Sequence, residues 1–158
     1  MHDSAEPEPH GVGRARALAM VAILLTCGGA AAELRYGELT RVINRNTGFA
    51  HMTRGVNMYT LIALRSCVGD ADIPVLTQML SDRDHVVQLA ASGVLVDMGP
   101  AGRQALAGAR AGTTDSGTRM LLDDALRDAD APQRRPLADY PLSGRERKSI
   151  RGCVSKKS

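Results

Sequence analysis

The chain has no tryptophan, a single phenylalanine (Phe49) and only 3% aromatic residues over 158 positions. A core without aromatics must be filled by Leu, Val, Ile, Ala and Met. That palette suits close-packed helices better than a sheet, where aromatic and β-branched side chains are favoured. The same scarcity counts against stacking platforms for single-stranded nucleic acid. Lysine is missing from the chain except near its C-terminus, at Lys148, Lys156 and Lys157. Residues 33–129 hold 10 Arg against 11 Asp and Glu, whereas residues 130–158 hold eight basic residues against three acidic ones. The formal charge of +3 is therefore a property of one end of the chain, not of its body.

Signatures of chemistry are also missing. There is no CxxC, no histidine pair at i, i+4, no Gly-rich phosphate loop after a strand and no G-x-S-x-G. The histidines are His2, His10, His51 and His85. His85 follows Asp82 and Asp84, which raises the thought of a metal cluster, but the arrangement reads better as a solvated loop in which Asp84 caps the next helix. Asp70 and Asp72 read as turn and cap residues, and Asp123 with Asp124 as the polar face of a helix. The expectation is a protein with no catalytic residues, no cofactor and no metal.

What is present begins with an apolar segment, residues 13–31 (GRARALAMVAILLTCGGAA). Arg14 and Arg16 supply a positive start, residues 17–27 an apolar stretch, and Ala30, Ala31 and Ala32 the small residues of a signal-peptidase site. Only 16 uncharged residues separate Arg16 from Glu33, short of the roughly 20 a bilayer span needs. Export is expected, with three outcomes open: cleavage after Ala32, lipid attachment at Cys27 in a lipobox-like Leu24-Leu25-Thr26-Cys27, or an uncleaved anchor. Thr26 departs from the small residue usual before a lipidated cysteine. The acidic prefix before Arg14 reads as an overextended start, with Val12 as an alternative beginning. In an oxidising periplasm Cys67 and Cys153 are left either to pair or to remain a buried thiol and a free one.

A repeat dominates the body. Residues 56–64 (VNMYTLIAL), 87–95 (VQLAASGVL) and 118–126 (TRMLLDDAL) align at a spacing of 31. Positions 56, 87 and 118 are β-branched; 58, 89 and 120 are Met, Leu and Met; 64, 95 and 126 are Leu. Offsets near i, i+4 and i+7 place these residues on one helix face. Asp84 precedes the second segment as a cap, Gly99 and Pro100 follow it as a stop, and Ser116 precedes the third. Shorter lead helices are expected at 73–80 and 101–109, entered through Pro74 and Pro100, and near 39–44. Gly93 in mid-helix points to a tight contact, since glycine there costs about 1 kcal/mol against alanine.

Residues 84–101 (DHVVQLAASGVLVDMGPA) carry a family likeness. The loop Asp84, Val87, the paired Ala90 and Ala91, Leu95, and the Met98-Gly99 exit resemble the HEAT-like repeats of bacterial α-solenoids. Gln88 stands where the family usually has Arg; Arg119 occupies that position in the third unit. The resemblance covers roughly residues 36–129. It implies an all-α fold, a short right-handed α-solenoid of about three helix pairs with an exposed concave face, and no single activity.

The expected organisation is an N-terminal extension and export signal (1–32), a repeat domain (33–129) and a basic, flexible tail (130–158) marked by Pro132, Pro136 and Pro141. The expected function is capture of an unidentified protein partner, as scaffold, adaptor or inhibitor. Asn57, Gln88, Ser92, Arg119 and Asp123 are the candidate contacts flanking the repeat helices. The alternative is binding of a polyanion or anionic membrane surface through the tail; nucleic acid is not the expected ligand of an exported chain.

Overall fold

The computed structural model describes residues 12–50, 53–132, 135–150 and 153, with side chains from Gly29 onward except in a short hairpin. Its helices are Val12–Asn46 (α1), Met58–Arg65 (α2), Ile73–Met79 (α3), His85–Asp97 (α4), Gly99–Gly112 (α5), Ser116–Ala129 (α6) and Gly144–Ser149 (α7). Between α1 and α2 lies an antiparallel hairpin, Gly48–Ala50 (β1) with Thr53–Gly55 (β2), in which Phe49 faces Arg54. Asp70–Asp72 and Leu137–Asp139 are single 3₁₀ turns. The described chain is all-α apart from that hairpin.

Two compact units are present, Met1–Leu34 and Arg35–Ser158. The division falls inside α1, two residues beyond the expected boundary after Ala32. Leu34 is 73% exposed, whereas Leu39, Val42 and Ile43 are buried; Arg35, between them, is tied to Asp72 and to the Cys67 carbonyl. The expected first lead helix is the end of α1. Ala30, Ala31 and Ala32 are helical. The Cys27 side chain, His2, His10 and His51 lie outside the described residues. Among the described residues, no helix is long and apolar enough to cross a membrane.

In the second unit α4 is central. It packs against α2, α3, α5 and α6, and α3 packs against α5. A helix surrounded in this way must be apolar nearly all round, and eight residues of α4, from Val86 to Val96, are buried. The 31-residue spacing is visible in the core: Thr60, Ala91 and Leu122 have no exposed surface, nor have Leu64 and Leu95. The one hydroxyl in that set, on Thr60, donates to the Asn46 carbonyl at 2.9 Å, so its burial leaves no orphan.

Local signals set the helix ends. Asp84 caps α4 by accepting from the Val86 N–H at 3.0 Å. The cap of α6 is Asp115, accepting from Thr118 N–H at 2.6 Å, so Ser116 begins that helix instead of preceding it. Between α4 and α5, Gly99 takes φ +68, a left-handed turn that glycine makes without a β-carbon clash. Pro100 then sits in the first turn of α5, where a missing N–H does no harm.

The tail departs from expectation. It was expected to be flexible; residues 135–150 instead pack back on the body as a strap. Leu137 is 5% exposed and its N–H donates to Asp97 Oδ1 at 2.8 Å. Ser143 caps α7 reciprocally with Glu146. A disulfide then joins Cys153 to Cys67, with Cα atoms 5.4 Å apart. Proline and charge marked this segment as loose, but one buried leucine, one cap and one covalent bond hold it.

Candidate functional site: a groove across three helices

The helices that repeat at 31 residues, α2, α4 and α6, line a cavity of about 410 Å³ that is open on one side. Leu61, Leu89, Val96 and Met120 form its apolar walls, and Asp124 and Asp128 of α6 form a carboxylate edge. Among the described residues, neither lysine nor arginine lines it, and His85 does. Its shape follows from the repeat. Positions 58, 89 and 120 carry Met, Leu and Met, but they do not enter the core: Leu89 is 37% and Met120 68% exposed. The apolar pattern expected to point inward therefore serves two faces. Positions 60, 91 and 122 fill the interior, while 89 and 120 face the groove. Gly93 belongs here too. A β-carbon on it would lie 2.9 Å from a Leu61 methyl, so α2 and α4 approach closely at the groove floor.

A second cavity, of about 300 Å³, shares Leu61, Gly93, Val96 and Asp128 with the first. Its remaining walls include Arg135, Leu137 and Tyr140 of the strap. The groove thus ends where the strap begins.

Of the five expected contact residues, one lies in the groove. Ser92 lines it, although the side chain is mostly buried and its hydroxyl donates to the Leu89 carbonyl at 3.0 Å. The structure does not bring the other four to the same place. Asn57 caps α2, accepting from Thr60 N–H at 2.9 Å. Gln88 closes the turn before α4, donating to the Asp82 carbonyl at 2.8 Å. Arg119 donates to the Thr113 carbonyl at 2.9 Å. Asp123 pairs with Arg110 at 2.8 Å, fastening α6 to α5. Polar residues beside a repeat helix were good candidates by position, but short-range hydrogen bonds employ them. The signal that marks the groove is instead the apolar residue repeated at 89 and 120, whose counterpart Met58 lines the second cavity.

Comparison with protein-family models, curated proteins and solved structures finds no match for this chain. The chemistry of the surface has to speak for itself.

Outside the groove, shifted titrations mark the fastenings between elements. Arg35 donates to both oxygens of Asp72, at 2.7 and 3.0 Å, holding that carboxyl below its usual range and raising its own pKa. Burial, aided by a hydrogen bond to Asp82, pushes the Tyr36 hydroxyl up to about 12. Arg110 lowers Asp123, and Arg103 lowers Asp130 across α5 and α6. His85 Nδ1 lies 3.1 Å from Gln88 Oε1. Among the described residues, no group of three His, Cys, Asp or Glu is placed to hold a metal ion.

Proposed function

We propose that this chain is an exported HEAT-like repeat protein that binds a protein partner on the face formed by α2, α4 and α6, and that binding, not catalysis, is its work. The observation that carries the reading is the placement of Leu89 and Met120, one repeat apart, at the mouth of a groove. Large apolar side chains held in register at a surface are a recognised mark of an interaction site. Two rows of packed helices, α2–α4–α6 and α3–α5, support the solenoid resemblance. The Cys67–Cys153 bridge supports an oxidising destination, and with it export.

The test is site-specific photo-crosslinking in cells. A crosslinker replacing Met120 should trap a discrete partner, one replacing the exposed Ala111 on α5 should not, and the adduct should vanish when Leu89→Asp is added. Equal trapping from both positions would sink the reading.

A second reading rests on Arg145, Arg147 and Lys148, three exposed cations within α7. It assigns the tail to an anionic surface. Deleting residues 130–158 is a poor discriminator, because it also removes Leu137, Glu146 and Cys153 from the body. Arg145→Glu with Lys148→Glu keeps the strap; loss of binding to phosphatidylglycerol vesicles in that variant would favour the second reading, and unchanged partner trapping at position 120 the first.

A further inference from the structure

Resting on the reading of the groove as a protein-binding face, we infer that it takes an extended, apolar segment of a partner flanked by Lys or Arg. The chain supplies its own example of such a ligand. The strap runs Arg135, Pro136, Leu137, with Pro136 at φ −56 and ψ 146, an extended conformation. Leu137 is seated almost wholly out of water, and the backbone N–H beside it is held by the Asp97 carboxylate. Arg135 lies at the edge of the second cavity, which Asp128 also lines.

The open groove repeats those conditions next door. It is continuous with the strap's cavity through Leu61, Gly93, Val96 and Asp128. Its walls are leucine, valine and methionine, and methionine adapts its shape to what it meets. Among the described residues, the charged side chains that line it are the carboxylates Asp124 and Asp128, with His85 also in its wall; Arg127 engages one oxygen of Asp124 at 2.9 Å. An apolar side chain gains by leaving water against Leu89 and Met120. A cation next to it in sequence meets carboxylates, whereas an acidic residue meets like charge, so charge sets which segments are accepted.

The experiment uses the full, oxidised chain and three fluorescent peptides of one length, each with the same Pro-Leu apolar centre, flanked by arginine, glutamine or glutamate. The arginine peptide is expected to bind about tenfold more tightly than the glutamine peptide, with the glutamate peptide weakest. In Asp124→Asn/Asp128→Asn the three affinities should converge to within about threefold. In Met120→Asp, whose melting should match the parent because the site is exposed, binding should fall about tenfold or more for every peptide. Tighter binding of the glutamine or glutamate peptide, still dependent on Met120, overturns the cationic class but leaves the groove as the site. Binding that ignores Met120→Asp overturns both. No binding by any of the three overturns this inference, while crosslinking from position 120 judges the groove separately.

Discussion

Gly102 of α5 lies against Leu95 of α4 so closely that a β-carbon on it would sit 1.9 Å from the Leu95 carbonyl oxygen. Backbone cannot rotate away as a side-chain end can. Gly102→Ala is therefore expected to lower stability by about 3 kcal/mol, the upper part of the usual range for overpacking. Gly93→Ala makes the contrast. There the nearest atoms are the methyl groups of Leu61, which borders open groove, and alanine brings about 1 kcal/mol of helix propensity. Its net effect should stay within about 1 kcal/mol of zero. Urea unfolding of the two variants measures the difference; equal midpoints would show that α4 and α5 are not in such close contact.

The recurrence at 31 was legible because Thr60, Ala91 and Leu122, with Leu64 and Leu95, really do fill one interior. Which of two apolar faces looks inward was not. Met58, Leu89 and Met120 satisfy the same helical periodicity as the core positions, and only the packing of α2, α4 and α6 shows that 89 and 120 face a groove. Asn57, Gln88, Arg119 and Asp123 are not among the residues that line the groove, and a sequence does not display the hydrogen bonds they make instead. The strap was legible only in its cysteines, whose pairing was one of two open outcomes. The rest of its order depends on Leu137 and Glu146 meeting residues 40 and 87 positions away, and local composition carries no trace of such partners.

The bridge between Cys67 and Cys153 closes 86 residues of chain. Cross-linking so long a loop restricts the unfolded ensemble, and the loop-closure relation puts the effect at about 4–5 kcal/mol. Cys153→Ser, or reduction of the parent, is expected to lower the urea midpoint accordingly, without loss of helical signal at zero denaturant. Thiol counting should find neither Cys67 nor Cys153 reactive in the oxidised protein. An unchanged midpoint on reduction would mean that the bridge adds nothing to the stability of the fold.

Tyr59 and Glu146 make the strap sensitive to acid. The Tyr59 hydroxyl donates to Glu146 at 2.5 Å and the Ser143 N–H donates to the other oxygen at 2.7 Å. These bonds, the tyrosine's foremost, bring the carboxyl from 4.5 down to about 2. A carboxyl whose folded pKa lies below its unfolded one stabilises fully above the unfolded value and loses that contribution as pH falls. The docking of α7 should therefore hold at pH 6 and weaken between pH 4.5 and about 2. Tyr59→Phe should move the Glu146 titration, followed by carboxyl NMR shifts, back toward 4.5. A titration that does not move would remove Tyr59 as its cause.

Asp97 is the remaining hinge pin of the strap, and its two oxygens have separate tasks. One accepts from Leu137 N–H at 2.8 Å, the other from Arg65 Nε at 3.0 Å. The aspartate side chain is 5% exposed and the arginine's 35%, so removing the carboxylate leaves a cation that can still reach water. Asp97→Ala is expected to cost about 2 kcal/mol, less than the loss of a fully buried pair. Leu137→Ala should cost about 2–3 kcal/mol through its emptied seat. Asp97→Asn separates the two tasks, because an amide oxygen can still accept from Leu137 while the charge that held Arg65 is gone. Hydrogen exchange at the Leu137 amide should be slow in the parent and in Asp97→Asn, and fast in Asp97→Ala. Equal rates in all three would show that the strap is held by its leucine and its disulfide without help from α4.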